Sequence, residues 1–104
     1  MSVADTNVLR RICTIIEANV YGTAYFKYRE ETDEHIPNKI YKSYEIHIDT
    51  DFMDWYSKRL ITAEELPTLS QKDEHNIIEE ILKEYKEDTY NIFFKYKGKE
   101  NSDG

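Results

Sequence analysis

The chain has 104 residues, of which 21 are acidic and 14 are basic, so its formal net charge at pH 7 is −7. A single domain fits this length, and a content of 39% hydrophobic and 13% aromatic residues can build a core, which excludes intrinsic disorder. Because a net negative surface repels nucleic acid and anionic membranes and attracts basic proteins, we expect no direct nucleic-acid or membrane binding.

The first predicted element is a helix over residues 5–20. Its apolar side chains recur at helical spacing: Leu9, Ile12, Cys13, Ile16 and Val20. Ser2, Asp5 or Thr6 can cap its start, and Gly22 is the candidate cap beyond its end. Cys13 is the one cysteine of the chain, and its place on this stripe predicts a buried structural thiol.

Two alternating runs follow, residues 23–29 and residues 39–49, and they predict two strands paired as an antiparallel hairpin. One face of the hairpin carries apolar side chains: Ala24, Phe26, Tyr28, Ile40, Tyr44, Ile46 and Ile48. The connection, residues 30–38, is acidic and too long for a tight turn, so we expect an exposed loop.

The rest of the chain predicts two helices and a third strand. Residues 52–60 fit a short helix, and Thr62–Glu65 matches a capping box that Pro67 limits to one turn. The last helix is predicted from the cap Ser70 to about residue 87, with its apolar stripe at Ile77, Ile78, Ile81, Leu82 and Tyr85. Alternation over residues 89–97 predicts the third strand, and residues 98–104 form a flexible polar tail.

These elements define an α+β fold in the order α-β-β-α-α-β. We expect a single domain over residues 1–97, in two layers, with the helices packed on one face of a small antiparallel three-stranded sheet. The N-terminus has no signal-peptide pattern and no stretch can span a bilayer, so we expect a cytosolic protein.

No motif in the chain indicates an enzyme. His35, His47 and His75 are scattered, the three glycines cannot build a phosphate loop, and no metal or cofactor is expected. Glu45, His47 and Asp49 share a strand face. We interpret this trio as solvated or interfacial, with a catalytic role as the alternative.

Two acidic segments are candidate partner-binding surfaces. Four carboxylates of the last helix fall in one row beside its apolar stripe: Asp73, Glu80, Glu84 and Glu87. Four more lie in the hairpin loop: Glu30, Glu31, Asp33 and Glu34. Such rows can stand in for DNA phosphates or dock on a basic cleft, although a solvated, charged surface is the simpler explanation.

A third candidate is the sheet face turned away from the helices, here called the open face. Tyr25, Tyr41 and Phe93 are predicted to lie there, and aromatic rings, tyrosine above all, are favoured at interfaces. The alternatives are that these rings are cross-strand pairs that stabilise the sheet, or that the segment of residues 52–56 covers them.

The composition resembles that of small acidic inhibitors of nucleic-acid enzymes, among them phage anti-defence proteins, DNA mimics and toxin-immunity proteins. The leading hypothesis is therefore a non-enzymatic inhibitor of a basic partner such as a nuclease. The alternative is a structural or regulatory module that self-associates through the open face.

Overall fold

The computed structural model describes the backbone of residues 2–102 and the side chains of residues 2–92. In chain order its elements are helix α1 (Val3–Glu17), strands β1 (Thr23–Thr32), β2 (Ile40–Asp49), β3 (Asp54–Tyr56) and β4 (Ile61–Thr62), a 3-10 helix (Leu66–Thr68) and helix α2 (Gln71–Ser102). The fold is α+β: an N-terminal helix, an antiparallel sheet of three main strands plus a short fourth, and a C-terminal helix.

Strand β2 is the centre of the sheet. It pairs antiparallel with β1 over ten residues, from Thr23 opposite Asp49 to Thr32 opposite Ile40. Its other edge is shared by β3 and by the two-residue β4. The predicted antiparallel hairpin is confirmed, but β1 continues through residues 30–32, which were predicted as part of the loop. On the predicted apolar face, Tyr28 and Ile40 are about half exposed, at 48% and 49%.

Helix α1 begins two residues earlier than predicted because Ser2 caps it, its Oγ accepting a hydrogen bond from the Asp5 N–H at 3.1 Å. The helix ends at Glu17 with Ala18 as the cap, so the prediction of Gly22 as the cap was wrong. Gly22 instead packs closely against the backbone at Asp49, where a larger residue would collide.

One hydrophobic core joins both helices to the inner face of the sheet. Its buried residues are Leu9, Ile12, Cys13 and Ile16 of α1, Ile77, Ile78, Ile81 and Leu82 of α2, and Tyr44, Ile46, Ile48, Trp55, Ile61 and Leu66. Of the predicted stripes, Tyr85 and Val20, which lies beyond the end of α1, are only partly buried. Arg11 and Glu74 also link α1 to α2 through two hydrogen bonds, at 2.8 and 3.1 Å, although Glu74 is only 7% exposed. The sequence shows no periodic signal for this ion pair, because its partners are 63 residues apart.

The predicted third strand, residues 89–97, is wrong: this segment continues α2. No glycine or proline interrupts residues 71–97, so nothing local ends the helix. The Thr89 hydroxyl also donates back to the Tyr85 carbonyl oxygen at 2.8 Å, a bond that is compatible with a helix interior. The segment therefore stays helical, although its aromatic side chains alternate every two residues as they would in a strand.

The predicted short helix over residues 52–60 is also wrong, since this segment contains β3. Trp55 points into the core while Asp54 and Tyr56 point outward, which is the alternation of a strand. The N–H and hydroxyl of Thr50 both donate to the Met53 carbonyl oxygen and close the turn between β2 and β3.

Two predicted caps are confirmed. Thr62 and Glu65 form a reciprocal capping box, in which Thr62 N–H donates to the carboxylate at 3.0 Å and Glu65 N–H to the hydroxyl at 3.1 Å. Ser70 and Asp73 form the same arrangement at the start of α2. The flexible tail over residues 98–104 stays a prediction, and residues 103–104 lie outside the described part of the chain.

Burial raises the pKa of the Cys13 thiol from its ordinary 9.0 to about 11, and the nearby negative charge of Glu17 adds to the effect. A raised pKa disfavours the reactive thiolate. At pH 8 we expect iodoacetamide to modify the folded protein about 100-fold more slowly than the urea-unfolded chain, as followed by mass spectrometry. Equal rates would contradict a buried thiol.

The same shift makes stability depend on pH. Because the folded state holds the Cys13 proton more tightly, this contribution to stability is fully present below pH 9.0 and is lost as the pH rises to about 11. Cys13→Ala should therefore lose less of its stability over this interval than the parent chain.

Candidate functional site

The open face carries a cluster of polar and aromatic side chains that contact one another across three strands. Both helices bury their apolar stripes on the opposite face. Alternation along the strands places these side chains on the open face: Tyr25, Lys27, Arg29, Tyr41, Ser43, Glu45, His47, Asp54 and Tyr56.

Three rings form a stack across three neighbouring strands. His47 on β2 is opposite Tyr25 on β1 and Tyr56 on β3. The His47 ring centroid is 5.0 Å from that of Tyr25, with 18° between the planes, and 5.8 Å from that of Tyr56, with 37°. Covered from both sides, the His47 imidazole is only 5% exposed, whereas Tyr56 is 58% exposed.

A chain of charged contacts orients the imidazole. Arg29 Nη1 lies 2.9 Å from Glu45 Oε2, and Glu45 Oε1 lies 2.6 Å from His47 Nε2. An ionised carboxylate can only accept, so Nε2 carries the proton in this contact. Arg29 also binds Glu31 at 2.9 Å and is thereby held over the strand.

The other imidazole nitrogen, His47 Nδ1, is buried and has no hydrogen-bond partner among the described residues. The nearest carboxylate oxygen, Asp54 Oδ1, is 3.6 Å away. The same oxygen accepts a hydrogen bond from the Tyr25 hydroxyl at 3.4 Å. Burial, followed by the negative charges of Asp54 and Asp49, raises the pKa of Tyr25, so its hydroxyl stays protonated.

The sequence placed Glu45, His47 and Asp49 together, and the structure revises this trio. Glu45 does contact His47, but the carboxylate beside Nδ1 is Asp54, which lies on β3. Tyr56 is the ring that sequence reasoning missed. A strand over residues 54–56 would have turned Tyr56 away from Trp55 and the core, but its position beside His47 depends on the pairing of β3 with β2.

The other two predicted aromatic residues lie away from this stack. Tyr41 is on the open face at the far end of β2, where its hydroxyl donates to Asp33 at 2.9 Å and the Lys39 ammonium lies 5.1 Å from its ring. Phe93 belongs to α2 rather than to the sheet, which corrects its predicted placement. Its side chain lies outside the described residues.

The carboxylates of the predicted acidic loop are not grouped in one row. Glu30 and Glu31 belong to β1 and point to opposite faces. Glu30 accepts from the Tyr28 hydroxyl at 2.7 Å, a bond that raises the Tyr28 pKa to about 12. Asp33 accepts from the His35 N–H at 2.8 Å, which lowers the Asp33 pKa, and Glu34 is exposed.

The acidic row of α2 is partly engaged by the segment between β3 and β4. Glu80 lies 3.4 Å from Arg59 Nε, and Glu84 accepts from the Lys58 N–H at 2.7 Å. Asp73 caps the helix, and its bonds to Ser70 lower its pKa. Glu87 is the one member of the row for which the described residues show no such hydrogen bond or ion pair. The row therefore supports the fold as well as carrying charge.

Comparisons with protein-family models, curated proteins and solved structures find no match to this chain. Among the helices of residues 2–102, none has the length and apolar content that would let it cross a membrane. Within that same part of the chain, no three His, Cys, Asp or Glu side chains are grouped as metal ligands would be.

Proposed function

We propose that this chain is a non-enzymatic binding protein that docks on a basic, nucleic-acid-processing protein and inhibits it. The observation that carries the proposal is the open face, where the Tyr25–His47–Tyr56 stack is held in place by carboxylates. Stacked rings provide a rigid contact area at a small entropic cost, which is typical of binding surfaces.

The geometry of His47 favours binding over catalysis. A general base must reach a substrate proton, but this imidazole is 5% exposed, its Nε2 is bound to Glu45 and its Nδ1 is buried. The contacts thus hold the ring as part of a surface and leave it little access to a substrate. A surface of rings held by neighbouring hydrogen bonds suits a protein partner.

The charge of the chain supports a basic partner. A net charge of −7 steers a positively charged surface toward the protein over distances of about a Debye length, roughly 10 Å at 0.1 M salt. Proteins that process nucleic acid present basic clefts, so occupation of such a cleft would exclude the nucleic acid.

The experiment is capture of the partner from the native host with tagged protein, followed by an activity assay. We expect a basic nucleic-acid enzyme to bind at about 0.05 M salt, to lose activity at equimolar inhibitor, and to associate at least about 10-fold more slowly at about 0.5 M salt. Salt-independent association would contradict the electrostatic part, and a fully active complex would contradict inhibition.

The second candidate is self-association, favoured by the outer edge of the sheet. Strand β1 has ten residues and pairs on one side only, with β2. Such an edge can accept a further strand, including β1 of a second copy. Light scattering distinguishes the two candidates, because a strict monomer at about 1 mM protein would exclude self-association of useful strength.

A further inference from the structure

Two aromatic side chains at one end of the sheet are almost fully exposed. Tyr21, between α1 and β1, is 99% exposed, and Phe52, in the turn between β2 and β3, is 95% exposed. Neither ring contributes to the core, so the stability of the fold does not account for them. Large aromatic residues in this position are typical of anchors that a partner covers.

The two segments that carry these rings pack against each other. Gly22, next to Tyr21, lies so close to β2 that a Cβ there would collide with the Asp49 carbonyl oxygen and lie 2.9 Å from Thr50 Cγ2. Phe52 is two residues beyond Thr50. The close approach of Gly22 therefore brings both rings to the same end of the sheet.

Hydrogen bonds order both segments. In the turn, Thr50 Oγ1 accepts from the N–H groups of Phe52 and Met53, both at 3.2 Å. On the other side, a carboxylate oxygen of Glu17 accepts from the Ala24 N–H at 3.0 Å and ties the start of β1 to α1. An ordered backbone reduces the entropy lost when an exposed ring is bound.

The chain segments on either side of the two rings carry negative charge only, and the nearest lysine along β1, Lys27, lies over the Tyr25 ring at 5.9 Å from its centroid. Residues 12–26 and residues 43–57 contain no lysine or arginine. Three exposed carboxylates belong to the turn and its flanks: Asp49, Asp51 and Asp54. We define the tip as these three aspartates together with Tyr21 and Phe52. Through the bond between Asp54 and Tyr25, it is continuous with the stack on the open face.

We infer that the tip is a binding site for arginine side chains of a basic protein segment. A guanidinium group can stack flat on an aromatic ring and at the same time pair with a carboxylate, and the tip has both kinds of group at one end of the sheet. Lysine fits this site less well, because an ammonium group is compact and strongly hydrated and cannot stack. The inference rests on the proposed function and names the residues of the partner that would be recognised.

The test is an NMR titration with two synthetic peptides, one rich in arginine and one with lysine at the same positions. We expect the arginine peptide to shift the amide signals of residues 21–22 and 50–54 and to bind at least about 5-fold more tightly than the lysine peptide. Tyr21→Leu/Phe52→Leu should weaken the arginine peptide about 10-fold, because leucine keeps the apolar area but removes the rings.

The matched control is Val3→Ala/Ile36→Ala, which removes two other exposed apolar side chains, 78% and 47% exposed, and should leave binding unchanged. The inference would be overturned by any of four results. These are equal binding of both peptides, signal shifts confined to α2, unchanged binding by the leucine variant, or no binding at millimolar peptide. If the captured enzyme binds the leucine variant as tightly as the parent, the arginine site is rejected and the proposed inhibitory function is kept. If the tip binds the arginine peptide but no enzyme is inhibited, the arginine site is kept and the inhibitory function is rejected.

Discussion

Replacement of Trp55 with alanine is expected to lower the free energy of unfolding by about 3–5 kcal/mol. The indole is 5% exposed, packs edge-on against Tyr85 with 5.2 Å between ring centroids, and donates its N–H to Asp88 Oδ2 at 2.9 Å. Its removal leaves a cavity between β3 and α2. Since domains of this size are stable by only about 5–15 kcal/mol, the variant should be partly unfolded at 37 °C.

The measurement is urea denaturation followed by far-UV circular dichroism, because Trp55 is the one tryptophan of the chain and its fluorescence is lost in the variant. Trp55→Phe is the matched control. It keeps an aromatic ring but cannot donate to Asp88, so we expect a smaller loss, about 1–2 kcal/mol. A loss below about 1 kcal/mol for the alanine variant would contradict the burial of Trp55 between β3 and α2.

The second large effect is expected in partner binding. Tyr25→Ala/Tyr56→Ala removes both rings that enclose His47, and we expect the Kd for the captured partner to rise about 100-fold. Central aromatic anchors dominate binding because the partner excludes water from them. Binding is measured by calorimetry at constant salt, with the folded state of the variant checked by its Tm.

Tyr41→Ala serves as the control, since Tyr41 shares the open face but lies at the far end of β2. We expect its Kd to change less than about 10-fold. A larger effect from Tyr41 than from the double variant would move the binding surface to the other end of the sheet. No effect from either would remove the open face from the proposal.

The hairpin could be predicted from the sequence because residues 23–29 and 39–49 alternate with a period of two, whereas residues 30–32, the end of β1, were assigned to the loop. Ile46 and Ile48 face the core, and Glu45 and His47 face outward, as the alternation indicates. The stripes of α1 and α2 were predictable for the same reason, with a helical period. These patterns are local and repeat several times, so one ambiguous residue does not obscure them.

Short or mixed sequence patterns led to wrong predictions of secondary structure. β3 has three residues, too few to show a period, and its Trp55 and Tyr56 also fit a helical stripe. In residues 89–97 the aromatic alternation suggested a strand, while the absence of any helix-ending residue before Gly98 proved to be the stronger signal. The partners Arg11 and Glu74, like Trp55 and Asp88, are too distant in sequence for any local pattern to pair them.

By itself, the sequence determined the α+β class, the hairpin with its two faces, the buried stripes and the net charge of −7, because composition and short periods encode these directly. Only the tertiary structure decided which side chains meet. It placed Tyr56 beside His47, assigned Asp54 to the imidazole, tied Glu80 and Glu84 to the segment of residues 58–59, and brought Tyr21 and Phe52 to one end of the sheet. Contacts of this kind depend on strand order and loop packing, which arise from the whole chain and not from any segment of it.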